Sequence, residues 1–282
     1  MVAHMETKKP PQVSIILPTY NRSVQLRRAI GSVLEQSFTD WELIVVDDAS
    51  TDDTPAVVRA ISAHDSRVVY VRNEKNNYPD IARTLNRGIE YARGSLIARI
   101  DDDDYWIDDD KLEKQVSFFE RHSDCAVVGS GMVLVDPNGH EIARYLKKET
   151  DQEIRKTALF ANPFSHTTVM FRADLARKVG GYGDWRYAED WDLWLKMGCV
   201  GTLYNFPEYF AAYTVSGKNK SFVYLRAQTK MNFKFLALHK NEYPGYTKAC
   251  VINLLQYIYS FLPVALRRRF QSVLSNLKRR LF

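Results

Sequence analysis

Apolar and polar residues alternate along the first hundred positions of the chain with two different periods. Four short apolar runs rich in β-branched residues predict buried strands; they are residues 13–17, 41–46, 68–71 and 95–100. The stretches between them carry apolar residues every three or four positions, which predicts amphipathic helices. Strands that alternate with helices at this pace predict βαβ units, and therefore an α/β fold whose parallel sheet is covered by helices on both faces.

The second half of the chain has a more mixed pattern. Residues 125–146 predict two strands joined by the turn sequence "DPNG", and residues 165–171 predict another strand. A helix is predicted over 189–198, where two acidic residues open an apolar stretch.

Polar motifs follow three of the first four predicted strands. "PTYNR" comes after the first strand, "DDAS" after the second, and a run of aspartates after the fourth. Parallel sheets bind ligands beyond the carboxyl ends of their strands. We therefore expect the three motifs to lie at one edge of the sheet and to form a ligand site there.

The composition is that of a globular protein. Of the 282 residues, 45% are hydrophobic and 12% aromatic, which allows a substantial core and argues against wholesale disorder. The three cysteines show no metal-ligand spacing, which favours reduced thiols in a cytosolic setting. Residues 1–12 are expected to be a flexible polar leader, because they lack the apolar stretch of a signal peptide.

Positive charge is concentrated in residues 263–282, which carry six Lys and Arg and no acid, so that the rest of the chain is nearly neutral. From Leu266 onwards an apolar helical stripe is bordered by these cations, a pattern typical of a helix that lies on an anionic membrane surface. Aromatic residues are not interleaved with the basic ones, which argues against a nucleic-acid partner.

The preceding stretch, residues 249–263, is apolar but interrupted by polar residues and a proline. It is shorter than the roughly 20 clean apolar residues that a membrane span needs. Docking on the protein's own body, on a second subunit of a homodimer, and on the membrane are all compatible with its sequence.

The stretch "ARIDDDDYWIDDD" contains seven aspartates, which need two explanations. Those at 108–110 precede a predicted helix, whose free N–H groups and dipole favour acidic residues. Those at 101–104 follow a strand, and an extended backbone there would point Asp101 and Asp103 the same way. Two converging carboxylates suit a hard divalent cation. The alternative is a solvated loop with no ligand.

Five motifs in order, "PTYNR", "VVDDAST", "LNRGIEYARG", "ARIDDDD" and "YAEDWDLWLK", resemble family 2 glycosyltransferases of the GT-A fold. The resemblance extends from about Val13 to Tyr213. It implies a Rossmann-like, mostly parallel sheet in a domain over residues 13–218. Residues 219–282 would then form a C-terminal helical region that ends in the basic membrane-associating tail.

The resemblance also implies which residues bind the nucleotide sugar. They are Pro18, Thr19, Tyr20, Asn21, Arg22, Asp48, Arg83, Asp101 and Asp102. Asp48 would accept hydrogen bonds from the base, typically uracil. The residues themselves allow two alternatives, namely that Asn21 or Ser23 caps a helix and that Arg83 simply faces solvent.

A divalent metal, Mn²⁺ or Mg²⁺, is implied at Asp103 and Asp101. The chemistry agrees, because a departing nucleoside diphosphate accumulates negative charge that a cation offsets. Two departures from the family pattern concern this loop: Asp102 makes the motif more acidic than usual, and Ile107-Asp108 replaces the customary Leu-Pro with one residue added.

The Glu-Asp motif of the family matches Glu189 and Asp190, and the resemblance makes Asp190 the general base that accepts the acceptor's hydroxyl proton. Attack from the face opposite the leaving group would invert the anomeric centre. The alternative is that both acids merely occupy the first turn of a helix. Acceptor contacts are assigned to Glu189, Tyr182, Trp185 and His166, with core packing as the alternative for the two aromatics and a structural role for the histidine.

Together these inferences predict a metal-dependent, inverting glycosyltransferase that uses a UDP-sugar. The expected acceptor is a saccharide carried on a lipid such as undecaprenyl diphosphate, in cell-surface polysaccharide synthesis. The expected location is the cytoplasm, at the inner face of the cell membrane.

Three other classes of protein are alternatives to this prediction. A sugar-phosphate nucleotidyltransferase would need a glycine-rich, lysine-bearing phosphate loop after the first strand, which is missing from the sequence. An aspartyl phosphohydrolase would need Thr where Tyr105 stands. A non-catalytic carbohydrate- or metal-binding module is the third alternative.

Overall fold

The computed structural model describes residues 9–215 and 225–262. The strands are β1 (Val13–Thr19), β2 (Trp41–Asp47), β3 (Val68–Arg72), β4 (Leu96–Arg99), β5 (Tyr105–Trp106), β6 (Cys125–Val135), β7 (Glu141–Tyr145), β8 (Met170–Arg172) and β9 (Thr202–Thr214). The helices are α1 (Ser23–Leu34), α2 (Thr54–His64), α3 (Ile81–Tyr91), α4 (Lys111–Arg121), α5 (Asp151–Thr157), α6 (Ala173–Lys178), α7 (Glu189–Gly198), α8 (Leu225–Leu238) and α9 (Tyr246–Tyr259), and a 3₁₀ turn spans His166–Thr168.

These strands form one sheet in the order β3-β2-β1-β4-β8-β6-β9-β5, with β7 paired to β6. Strands β1 to β4 are mutually parallel, and β1 lies between β2 and β4. Strand β8 is antiparallel to both β4 and β6, whereas β6 and β9 are parallel. The α/β fold with a mostly parallel sheet that the sequence predicts is confirmed.

Alternation of side chains along the strands supplies two hydrophobic faces. On β1, Ile15 and Leu17 pack on one side against Ile30 of α1 and Leu112 of α4. On the other side, Ile16 packs in a cluster that includes helices α3 and α7, with Trp194 fully buried in it. Helices therefore cover both faces of the sheet, as expected, and α7 is held against one of them.

The two C-terminal helices attach to the rest of the molecule through α7. Phe235 and Leu236 of α8 are buried in a cluster with Trp191 and Leu195 of α7. The hydroxyl of Tyr243 donates to the carbonyl of Leu195 at 2.8 Å. Helix α8 and the loop after it thus fix the position of the helix that begins with the Glu-Asp motif.

One predicted strand is largely wrong. Of residues 165–171, only the last two belong to a strand, because the chain first makes the 3₁₀ turn. The Thr168 hydroxyl and amide both donate to the carbonyl of Ser165, at 2.8 and 2.9 Å. A hydroxyl that bonds its own local backbone competes with a strand ladder, and that preference is the physical reason for the error.

No helix in the described residues is both long enough and apolar enough to cross a bilayer. The basic stripe predicted at 266–282 lies outside the described residues. The predicted domain limits, 1–12, 13–218 and 219–282, stay predictions.

Candidate active site

Three loops meet at the carboxyl ends of β1, β2 and β4. The amide of Asn21 donates to the Ser50 hydroxyl at 3.0 Å, and the side-chain oxygen of Asn21 accepts from the amide of Thr51 at 2.7 Å. The hydroxyl of Thr19 donates to Asp102 Oδ2 at 2.9 Å. The three polar motifs therefore converge at one edge of the sheet, as the sequence predicts.

Neither residue proposed as the cap of α1 has that role. The residue before the helix is Arg22, whose side chain makes no capping hydrogen bond, and the amide of Ser23 donates instead to Oδ2 of Asp52 at 3.2 Å. Asn21 has a left-handed backbone, with φ of 52°, and its amide oxygen is used by the neighbouring loop. Asn tolerates this conformation better than most residues, so the first loop keeps a shape that leaves Tyr20 exposed beside it.

Asp48, predicted to bind the base, is buried beneath the loop that joins β3 to α3. Its carboxylate accepts from the side chains of Asn73, Asn77 and Thr84 at 2.6 to 3.0 Å, and from the amide of Asn77 at 3.0 Å. In this arrangement Asp48 organises the wall of the site through protein donors. The sequence did not single out those donors.

The backbone of the aspartate cluster is a turn, so the expectation of an extended segment is wrong. The amide of Asp104 donates to the carbonyl of Asp101 at 3.2 Å, which closes the turn. Asp101 pairs with Arg99 at 2.6 Å, and Asp103 pairs with Arg22. These arginines and the Thr19 hydroxyl fix the carboxylates one by one. Arg22 and Thr19 are distant in sequence, and local strand geometry cannot anticipate such partners.

The four carboxylates carry more negative charge than these arginines balance. Burial, together with the charges of Asp103 and Asp101, raises the pKa of Asp102 to about 7 against the opposing charge of Arg22. Burial and neighbouring aspartates also raise the pKa of Asp103 and, further, that of Asp104. Asp104 Oδ2 is buried without a hydrogen-bond partner among the described residues. An additional cation would relieve this repulsion.

The donor set fits a divalent metal that is shared with a substrate. Across residues 9–215 and 225–262, no three His, Cys, Asp or Glu side chains are arranged to hold a metal by themselves. Magnesium at nucleotide sites, however, uses one or two carboxylates together with substrate phosphates and waters. Asp101 and Asp103 are partly exposed, at 34% and 23% of their side-chain surface, and can supply such oxygens.

Asp190 lies in the first turn of α7, near Asp101 of the aspartate turn. Its Oδ2 accepts from Asn162 Nδ2 at 2.6 Å, and its Oδ1 accepts from the amide of Trp191 at 2.8 Å. Desolvation raises the pKa of Asp190, the two hydrogen bonds oppose that rise, and the nearby charge of Asp101 adds to it. The second half of the chain therefore brings a desolvated carboxylate close to the aspartate turn.

Arg99 is a site residue that sequence reasoning missed. It is 1% exposed, and its guanidinium donates to the carbonyls of Ile16 and Ile100 as well as to Asp101. Burial and the positive charge of Arg99 lower the pKa of His166 to about 3, so this imidazole is neutral near pH 7. The available signal was an arginine inside an otherwise apolar strand, directly before the aspartates.

The residues predicted to contact the acceptor differ in exposure. Tyr182 is 3% exposed, and its hydroxyl lies 2.9 Å from Nε2 of His166. Its ring packs near Trp194, so the structure favours core packing over sugar stacking for Tyr182. Trp185 is half-buried and makes an edge contact with Phe235 of α8, whereas Glu189 is partly exposed in the first turn of α7.

Helix α3 was expected to contact the donor through Arg83, and its Asn86 supports a neighbouring loop. Arg83 is 70% exposed and pairs with Asp80 at 2.6 Å, which agrees with the solvent-facing alternative. Asn86 forms two hydrogen bonds with the backbone of Tyr182, at 2.8 and 2.9 Å. The amide of Asn86 thus holds the loop that precedes α7.

Comparison with known families gives a match over most of the site. The family described as glycosyl transferase family 2 matches residues 14–180. The Bacillus subtilis (strain 168) protein EpsE is 39% identical over 224 residues, which cover 76% of this chain and 78% of EpsE. The amylovoran biosynthesis glycosyltransferase AmsE of Erwinia amylovora is 26% identical over 258 residues, or 89% of this chain and 94% of AmsE.

Solved structures share the fold. The Staphylococcus aureus TarS 1–349 complex with UDP-GlcNAc has a TM-score of 0.69 at 20% identity, covering 93% of this chain and 75% of that one. The mannosyltransferase PcManGT of Pyrobaculum calidifontis, in complex with GDP-Man and Mn²⁺, has a TM-score of 0.65 at 19% identity, covering 95% and 81%. The architecture is accordingly the GT-A fold.

Proposed function

The chain belongs to glycosyltransferase family 2, and from this premise we propose that it transfers a sugar from a UDP-sugar to a hydroxyl of a saccharide acceptor, with inversion at the anomeric carbon. The observation that carries the proposal is the proximity of two carboxylate groups, the aspartate turn at 101–104 and Asp190. The aspartate turn at the end of β4 lies close enough to Asp190 that the charge of Asp101 affects the pKa of Asp190. The aspartate turn suits the donor, and Asp190 suits the acceptor.

For the donor, the loop at residues 18–22 and the amides around it would line the nucleotide pocket. This loop ends at the start of α1, where the helix dipole favours phosphate. Arg22 is partly exposed and carries a positive charge beside Asp102 and Asp103. UDP is favoured because TarS, which shares the fold, was solved with UDP-GlcNAc.

Asp101 and Asp103 would hold the divalent metal, either Mn²⁺ or Mg²⁺; PcManGT, which shares the fold, was solved with Mn²⁺. When bound, the metal would offset the negative charge that develops on the departing diphosphate. The protein's part is to hold the two carboxylates in place. Arg99 fixes Asp101 from beneath, and Arg22 holds Asp103 from the side.

For the acceptor, Asp190 would accept the proton of the attacking hydroxyl. A sugar hydroxyl is a weak nucleophile, and a positioned carboxylate removes its proton as the new bond forms. Asn162 and the amide of Trp191 orient this carboxylate through one hydrogen bond to each oxygen. Attack on the face of the sugar opposite the diphosphate gives inversion.

The biological acceptor follows from similarity to relatives. AmsE is named for the biosynthesis of amylovoran, which supports a role for this chain in the assembly of a cell-surface polysaccharide. The same proposal includes an acceptor linked to undecaprenyl diphosphate, a cytoplasmic location at the membrane, and the tail at 266–282 as a membrane anchor. The nucleotidyltransferase and binding-module alternatives are set aside, since the chain is a glycosyltransferase.

Calorimetric titration with UDP, with and without Mn²⁺, tests the donor site. We expect Mn²⁺-dependent binding in the wild type and its loss in Asp103→Asn. Asp109→Asn, which changes an exposed aspartate six positions further along, should bind as the wild type does. If Asp103→Asn retained its Mn²⁺-dependent UDP affinity, the metal assignment would be refuted.

A further inference from the structure

The outward surface of α9 and the turn after it is apolar. Six large side chains on it are between 41% and 61% exposed; they are Val251, Leu254, Leu255, Ile258, Phe261 and Leu262. Within α9 they are spaced by three and four residues, which places them on one stripe of the helix. We call these six residues the outer face.

The inward side of the same helix is partly apolar and partly polar, and Tyr246, Cys250 and Ile252 pack there against the cluster that joins α7 and α8. Its buried residues are Ala249 and Asn253. Asn253 donates to the carbonyl of Thr229 at 2.8 Å and accepts from the side chain of Asn232 at 3.2 Å, and both of those residues belong to α8. The helix therefore meets the rest of the protein through a mixed side, and the six large side chains of the outer face lie outside that contact.

The geometry therefore answers one question that the sequence left open. The six residues of the outer face do not dock on the described body of the protein, because their side chains are exposed. Contiguous apolar patches on a protein surface mark contacts with another protein or with a membrane. The charge around the outer face distinguishes these partners.

Cations dominate this part of the structure. Residues 225–262 contain five Lys and Arg residues and a single acid, Glu242. The guanidinium of Arg226 lies 3.9 Å from the centre of the Phe261 ring, at the end of the outer face. A symmetric dimer through this surface would bring like charges together, which is unfavourable. The segment 263–282 also carries only positive charge, so its packing on this surface would bring further like charges together.

We propose that the outer face docks on an anionic lipid surface, with α9 lying in the plane of the interface. An apolar stripe bordered by Lys and Arg binds membranes through buried apolar area and through attraction to anionic headgroups. The catalytic helix α7 is connected to this surface through α8, so the active site would be held at a fixed distance from the membrane. The inference does not depend on the identity of the donor or the acceptor.

Co-sedimentation of the full chain with lipid vesicles tests the proposal. The vesicles consist of phosphatidylcholine alone or of phosphatidylcholine mixed with phosphatidylglycerol. We expect the wild type to bind the mixed vesicles, and Leu255→Glu/Ile258→Glu to bind them at least about tenfold more weakly. The matched control, Ile142→Glu/Leu146→Glu, changes two equally exposed apolar residues far along the chain and should bind normally.

Two results would overturn the proposal. The first is unchanged vesicle binding by Leu255→Glu/Ile258→Glu, which would mean that residues outside the outer face contact the lipid. The second is a wild-type dimer in sedimentation velocity that this variant converts to a monomer without loss of lipid binding, which would make a second copy the occupant. UDP titration of each variant checks folding and separates this test from that of the proposed function.

Discussion

Nη2 of Arg99 lies 2.6 Å from Oδ1 of Asp101, and this ion pair joins the interior of the sheet to the carboxylate turn. The arginine side chain is 2% exposed, whereas that of Asp101 is 34% exposed. A buried cation beneath a partly exposed carboxylate fixes its direction and offsets part of the negative charge of the turn. The expected donor site therefore depends on a residue that is inaccessible to the donor.

Arg99→Met should weaken both the fold and the donor site. Loss of hydrogen bonds to a charged group costs about 1.5–3 kcal/mol of unfolding free energy, and the turn would lose its inner counter-charge. Urea unfolding and Mn²⁺-dependent UDP titration measure the two effects. Arg144→Met removes an exposed pair with Glu141 and should change the unfolding free energy much less than Arg99→Met does, because solvent screens exposed ion pairs. Equal stability of the two variants would contradict the role given to Arg99.

Asn162→Ala should move the pH profile of transfer. The hydrogen bond from Asn162 opposes the rise in the pKa of Asp190 that desolvation causes. Without that donor the pKa of Asp190 rises further, so a base that must be ionised would need a higher pH. We expect the acidic limb of kcat/KM to shift to higher pH in the variant. If kcat/KM fell at every pH while its acidic limb stayed at the same pH, this role of Asn162 would be contradicted.

Asp192 should make folding stability depend on acid pH. Burial alone would raise the pKa of this carboxyl, but hydrogen bonds and charges from His239 and Lys196 lower it below its ordinary 3.8. Since the folded value is the lower one, the stabilisation is complete above 3.8 and is lost as the pH falls through the folded pKa. Asp192→Asn should be less stable than the wild type near neutral pH, by about 1.5–3 kcal/mol.

The stability gap between the wild type and Asp192→Asn should narrow at the acid end, below pH 3.8. Chemical unfolding at pH 7 and at successively lower pH values measures it. Asp184→Asn, which alters an exposed aspartate nearby, should show no such gap. A gap that stays constant with pH would show that Asp192 acts through packing alone.

Neighbouring glycines before α7 allow a matched comparison. Gly180 and Gly181 both have positive φ, of 85° and 63°, so alanine is strained at either position. A Cβ at Gly181 would also lie 2.5 Å from Oδ1 of Asn86, whereas a Cβ at Gly180 meets nothing within 4 Å. Gly181→Ala should therefore lower the melting temperature and the transfer rate more than Gly180→Ala does. Equal effects would mean that Asn86 moves aside freely.

The alternation of apolar runs was enough to predict the first four strands, the helices between them and the edge where three loops meet. These features depend on local periodicity and on the parallel direction of strands in βαβ units. Helix α7 was also predicted over the residues that it occupies, 189–198. Local patterns were sufficient for features that a single helix or strand determines.

The contacts between residues of the site could be identified only from the structure. Arg99 reads as one polar residue in a strand, and Asn162 as an ordinary residue before a proline. Their importance comes from contacts with Asp101 and Asp190. The extended backbone predicted at 101–104 is wrong for a similar reason, since Arg22 from the first loop pairs with Asp103. Such long-range ion pairs leave no periodic signal in a sequence.

The proposed division of labour between the aspartate turn and Asp190 is tested most directly by Asp190→Asn, assayed for both UDP affinity and sugar transfer. We predict that Mn²⁺-dependent UDP affinity is kept while transfer falls by at least about a hundredfold, and that the control Asp184→Asn changes neither. Transfer at the wild-type rate by Asp190→Asn would contradict the account, because the carboxylate of Asp190 would then be only part of the start of α7.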